Sequence, residues 1–198
     1  MRGFTRSQSP ECLTKKGLEW TNRWEPRLQN GQKLVWPQFE LKRIDEILAR
    51  HLRADTQAHC SYCDQIITYE TADEQLDHFQ PKSYYPELAF TWSNLFLSCT
   101  ECNSEKRAQY SELLLRTDAI AYSFSKFFRY NPSNGILEVS PEASDEERKQ
   151  AETTLDILGL NKGGRPTSRW RTFKTSYRGY EEGDSNIDEL SYRFIFEP

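Results

Sequence analysis

Apolar residues recur at helical spacing at Leu41, Ile44, Ile47, Leu48 and Leu52, with His51 completing the face. That period predicts an amphipathic helix from about Pro37 to Arg53. Upstream, Pro10, Pro26 and Pro37 punctuate a charged stretch carrying Trp20, Trp24 and Trp36. It reads as a mostly irregular arm whose aromatics anchor it to the core or to a partner. Ile66-Ile67-Thr68-Tyr69 has strand character, and Gln75-Leu76-Asp77-His78-Phe79 a second strand that Gln80-Pro81 ends. Residues 80–92, with Pro81 and Pro86, form a loop, and a helix is expected from Cys102 through Gln109. Asn131-Pro132-Ser133-Asn134-Gly135 is a turn signal, followed by a strand at Ile136–Val139. Ser144 with Glu147 three residues on is a capping box. It opens a helix carrying Ala151, Leu155 and Leu158, which Gly159 closes. No internal repeat or low-complexity segment interrupts this order.

The chain has 198 residues, enough for one core or for a small core with helical flanks. Its apolar fraction is 36% against 28% charged residues, with aromatics at 13%. So lean an aliphatic core calls for a metal staple, a partner, or both. The net charge of -4 argues against tight unassisted binding to nucleic acid, where phosphate neutralisation dominates affinity. Its distribution is uneven: +4 over residues 1–60, -5 over 61–110 and -3 over 111–198. The acidic middle is compatible with metal ligation, and it leaves part of the substrate grip to the flanks or to another protein. Lys162, Arg165, Arg169, Arg171, Lys174 and Arg178 form an acid-free run, together with Trp170, Phe173 and Tyr177. It reads as a DNA-facing helix, a docking helix or a plain solvated one. The N-terminus leads into no signal-like apolar run and no stretch has membrane-spanning length, so a soluble cytoplasmic protein is expected.

In that compartment paired cysteines read as metal ligands before disulfides. Cys60-Ser61-Tyr62-Cys63 and Cys99-Thr100-Glu101-Cys102 are two CxxC pairs, each able to present both thiolates to one tetrahedral ion. Four thiolates leave no open position for water, so a zinc ion there is structural. Cys12 has no partner and reads as an ordinary free thiol.

Between the pairs lies Asp77-His78, and Asn94 and Asn103 follow. A phosphodiester hydrolase needs a hard cation on oxygen ligands, a base for water, a group that orients the base, and a cation for the backbone. Asp77 and Asn103 offer the oxygens and His78 the base. Asn94 can pin the loop. Lys82 and Lys106 are candidate phosphate contacts, although Lys106, on the Asn103 face of the helix, is equally placed to pair with an acid. In a regular strand Asp77 and His78 point to opposite sides, so a kink or a strand end must bring them together. Taken singly, each is an ordinary surface, turn or cap residue; their order between two CxxC pairs is what sets them apart.

That order, CxxC, DHFxPK and NLxxSCxxCNxxK over residues 59–110, resembles the HNH nuclease superfamily. The resemblance implies an α+β fold: a small ββα-metal core with structural zinc, flanked by N-terminal and C-terminal helical segments. Residues 1–58 are then an arm and helix, 59–110 the nuclease core, and 111–198 a mostly helical region for partner docking or substrate binding. It implies His78 as general base, Asp77 and Asn103 on the catalytic ion, and Asn94 constraining the loop. Asn103 stands where many members have histidine, which favours magnesium or manganese over nickel or zinc. DHFxPK, Trp92-Ser93-Asn94-Leu95 and Leu158-Gly159-Leu160-Asn161 further resemble the nuclease subunit of Septu-type and retron-associated antiphage systems. That implies an ABC/SMC-like ATPase partner, with DNA as substrate or RNA in its place. The competing reading is a non-catalytic zinc module that binds nucleic acid or protein.

Overall fold

The computed structural model describes residues 1–67, 73–183 and 186–196. The chain opens not on an irregular arm but on a helix, α1 (Glu11–Gln29). Leu13, Gly17, Trp20, Trp24 and Leu28 recur every three or four positions and form its buried stripe. The prolines do not prevent it. Pro10 caps the N-terminus, and Pro26 lies in the last turns, where both it and Asn22, whose carbonyl loses a donor, are exposed to water.

A two-residue hairpin follows, β1 (Gln38–Phe39) with β2 (Lys42–Arg43), turning through Glu40 and Leu41 at φ 50 and 66. The predicted helix therefore begins later, as α2 (Ile44–Asp55). Leu41 matched the helical period but is 94% exposed at the turn. Ile44, Leu48 and Leu52 are fully enclosed.

The centre is an antiparallel pair, β3 (Glu74–His78) with β4 (Leu95–Cys99), in register Asp77↔Phe96 and His78↔Leu95. All five residues of β4 are buried, so it shows none of the alternation that exposes a half-buried strand in sequence. Of the other predicted strand, Ile66 bridges His59, while Thr68 and Tyr69 lie outside the described residues. Two strands alone are marginal in water. Here α2 and the helix α3 (Thr100–Lys106) pack on both of them. Ser61 N–H donates to Leu97 O at 2.8 Å and Arg6 Nη1 to Leu95 O at 2.9 Å, covering the outer edge. Aromatic rings fill what aliphatics do not: Tyr62 stacks on Phe96 at 5.6 Å and 3°, and Phe79 lies 5.2 Å from the same ring. α3 starts two residues earlier than expected and stops at Lys106, because Arg107 turns to φ 48.

A short helix, α4 (Phe124–Phe127), leads into a second hairpin, β5 (Phe128–Tyr130) with β6 (Leu137–Val139), closed by the 131–135 turn. Gly135 is obligatory there: at φ +77, a Cβ would lie 1.9 Å from Pro166 O. The helix α5 (Asp145–Ile157) carries the reciprocal Ser144–Glu147 capping box, and Gly159 follows at φ 57. The basic run becomes α6 (Arg165–Glu181), and it is not uniformly solvated. Arg169 is 1% exposed and donates to Gly135 O, Leu160 O and Asn161 Oδ1, each at 2.8 Å. Arg165 is buried and donates to Leu158 O at 2.7 Å. Two of the six cations thus belong to the interior of the C-terminal region, which corrects the expectation of a wholly DNA-facing, docking or solvated face. No helix among the described residues is long and apolar enough to cross a membrane.

Candidate active site and four-cysteine cluster

The two CxxC turns meet because β4 delivers Cys99 beside the Cys60–Cys63 turn. Cys99 N–H donates to Cys60 Sγ at 3.3 Å and Cys102 N–H to Cys99 Sγ at 3.5 Å. All four thiols are buried, free of disulfides, and converge to within 4.8 Å of one another. The Cys63–Cys99 sulfur separation is 3.7 Å, close to the ~3.8 Å edge of a tetrahedron with ~2.3 Å zinc–sulfur bonds. Burial would raise the Cys60 thiol, but hydrogen bonds from Cys102, Cys63 and Cys99 outweigh it and hold the group well below its ordinary value. A second observation fits a metal. Arg165 Nη2 is buried with no hydrogen-bond partner among the described residues. Burial disfavours that guanidinium, yet the cysteines Cys102, Cys63 and Cys99 raise its pKa above the ordinary value. A divalent ion on four thiolates is net anionic and would add to the counter-charge that Glu101, 3.5 Å from Arg165 Nε, already supplies. The cluster is consistent with a zinc site.

A cleft of about 360 Å³ opens beside this cluster. Asp77, His78, Lys82 and Asn103 line it from the β3–α3 side, and Leu28 and Gly31–Leu34 from the end of α1. Asp77 and His78 share the cleft because His78 is the last residue of β3.

Asp77 is nearly enclosed. Its Oδ2 accepts from Tyr62 Oη at 2.6 Å and from Lys106 Nζ at 2.9 Å. Its Oδ1 makes no hydrogen bond with a described residue. Burial pushes the carboxyl above its ordinary value, while Lys106, Tyr62 and Lys82 pull it down. Burial and Asp77 hold the Tyr62 phenol well above its ordinary pKa, so it stays a donor. His78 Nε2 lies 3.0 Å from Ala89 O. Burial and Lys82 lower the imidazole to about 3, so at neutral pH it is uncharged. A carbonyl can only accept, which places the proton on Nε2 and leaves the Nδ1 lone pair free.

Asn94, also buried, accepts from Gln80 N–H at 2.8 Å and donates to Gln80 O at 3.0 Å and Leu88 O at 3.3 Å. Those bonds tie both ends of the loop between β3 and β4. Asn103 is half-buried on the cleft and makes no side-chain hydrogen bond to a described residue. Lys82 faces the cleft without an ion pair among the described residues, and burial lowers its pKa. Lys106 corrects the expectation of a substrate contact. Its ammonium is 0% exposed, bound to Asp77 and to His78 O at 2.7 Å. Of the two roles open to it in sequence, pairing with an acid is the one the fold supplies. Lys33 and Arg107 line the cleft as well, and sequence reasoning missed both. Lys33 sits in a segment without a motif, and Arg107 reaches the rim only because α3 stops one residue before it.

Residues 60–109 match the HNH endonuclease family. The HNH match covers both cysteine pairs, Asp77, His78, Asn94 and Asn103. Beyond that segment the chain is similar to the retron Vc95 putative HNH endonuclease of Vibrio cholerae serotype O1 biovar El Tor, 25% identical over 174 residues, 83% of each chain. It is also 28% identical over 161 residues to Septu protein PtuB of Bacillus thuringiensis, covering 79% of this chain and 53% of that one. The chain therefore spans about half the length of that Septu relative. A second Septu protein PtuB, from Bacillus mycoides (strain KBAB4), is 33% identical over 79 residues.

Proposed function

We propose that this protein is a metal-dependent endonuclease that hydrolyses phosphodiester bonds, most naturally of DNA, with RNA as the alternative. The observation that carries the reading is His78: it lines the cleft that Asp77 and Asn103 also line, its Nε2 is on the Ala89 carbonyl, and burial and Lys82 keep its imidazole uncharged. Nδ1 takes a proton from a water molecule as its oxygen attacks phosphorus. The P–O3′ bond breaks and O3′ takes a proton from solvent water, leaving 5′-phosphate and 3′-hydroxyl ends. The free Oδ1 of Asp77 and the amide oxygen of Asn103 are hard donors suited to magnesium or manganese. That ion, when bound, neutralises charge on the phosphate and the leaving oxygen. Lys106 and Tyr62 hold Asp77 in place, and Asn94 holds the loop that carries the Ala89 carbonyl. Lys82 offers a cation to the backbone. Zinc on Cys60, Cys63, Cys99 and Cys102 has only a structural part.

The similarity to proteins named for retron and Septu systems agrees with the resemblance in the sequence; from that resemblance we carry over a role in antiphage defence beside an ABC/SMC-like ATPase. A chain of net charge -4 that must hold a polyanion is compatible with such help.

The test is cleavage of supercoiled plasmid by zinc-loaded protein with magnesium or manganese, comparing wild type with His78→Ala. Nicking or linearisation by wild type alone is expected. Cleavage by His78→Ala near the wild-type rate removes His78 as the base. Absence of cleavage on plasmid and RNA, with and without the ATPase, returns the protein to the zinc-module reading.

A further inference from the structure

Among the described residues, the aromatic ring that stacks on the candidate base comes from outside the HNH-matched segment. Trp36 lies between α1 and β1, and its indole stacks on the His78 imidazole with centroids 5.7 Å apart and planes 7° from parallel. Trp36 is itself braced. Phe90 meets it edge-on at 5.9 Å and 87°, and Trp20 of α1 lies 5.9 Å from Phe90. Phe90 directly follows Ala89, whose carbonyl holds Nε2. The imidazole is thus constrained by a hydrogen bond in its plane and an indole on its face. Those two contacts restrict rotation about its Cβ–Cγ bond, the one freedom a single hydrogen bond leaves loose.

We propose that Trp36 is a positioning residue for the His78 base, and that α1 with the segment after it completes the active site. This rests on the nuclease reading above. Stacking fixes the plane of the ring, and with the Nε2 bond it fixes the position of Nδ1. It also sets a π face alongside the cation that forms when Nδ1 accepts the proton from water. A base held to within a few tenths of an ångström is worth on the order of tenfold to a hundredfold in rate.

The experiment compares wild type, Trp36→Phe and Trp36→Ala, all zinc-loaded, by two readouts. In cleavage kinetics, Trp36→Ala loses about tenfold or more in kcat with KM little changed, and Trp36→Phe, which restores a ring, recovers most of it. In NMR, the His78 ring protons of wild type are displaced by the indole ring current; Trp36→Ala abolishes that displacement while zinc content is unchanged. A Trp36→Ala kcat within twofold of wild type overturns the proposal, and so do His78 resonances that do not move. A general loss of folding would lower zinc content and would not be rescued by phenylalanine. If wild type itself cleaves nothing, the nuclease reading fails, while the NMR comparison still decides whether Trp36 holds the histidine.

Discussion

Arg169→Ala tests whether the basic run of α6 is interior structure or surface. The guanidinium is 1% exposed and makes three hydrogen bonds of 2.8 Å, to Gly135 O, Leu160 O and Asn161 Oδ1. Bonds of this charged kind contribute roughly 1.5–3 kcal/mol each, and the substitution also strands three acceptors. Against that stands the cost of having buried the cation. That cost is visible in the lowering of Arg169 to about 10, with burial the largest cause. The net loss should resemble breaking a buried charged contact, roughly 3–5 kcal/mol. For a chain of this size that is a fall in Tm of about 10 °C. Arg171→Ala is the internal control: two residues along the same helix, Arg171 is exposed, so its loss should stay within about 0.5 kcal/mol. Thermal unfolding and urea titration of both variants give the comparison, and hydrogen exchange across 130–161 should localise the weakening to the Gly135 turn. Equal, small shifts in the two variants would refute the argument and return the whole run to the surface.

Two other outcomes are expected beside those already described for His78 and Trp36. Elemental analysis should find one zinc per chain, and stripping it with a strong chelator should unfold the 60–109 segment by circular dichroism, because metal binding at such clusters contributes about 10 kcal/mol or more, comparable with the stability of a whole domain; a metal-free protein with an unchanged Tm would remove the structural role. Lys106→Met leaves the Asp77 carboxylate buried with Tyr62 as its remaining donor, a loss of roughly 3–5 kcal/mol that Lys106→Met/Asp77→Asn should partly restore; urea midpoints that show no coupling between the two sites would mean the ion pair is idle.

Much of the chemistry was legible in the chain itself. The CxxC spacing predicts four thiols within reach of one ion, and the fold brings them within 4.8 Å of one another, because two residues set the reach within each pair. Ser144 with Glu147 and Gly159 marked α5 because caps are local. Asp77, His78, Asn94 and Asn103 stood out by order, since a motif is a one-dimensional object. What a residue does once placed was another matter. Lys106 had a phosphate and a carboxylate as equal prospects, and only the packing of α3 on β3 brings its ammonium to Asp77. Arg169 looked like a surface cation until three carbonyl-type oxygens from two other segments closed around it. β4 is hidden in sequence because a strand buried on both faces has no alternation, and α1 because Pro10 and Pro26 read as breakers until the fold places them at the N-cap and in the last turns of a helix. Trp36 reads in sequence only as an aromatic anchor, not as a partner of His78: it precedes His78 by more than forty positions, and stacking depends on where two rings meet, which spacing along the chain does not encode. Local geometry is written in short windows of sequence; partnership between distant side chains is decided by burial, and burial exists only in the folded molecule.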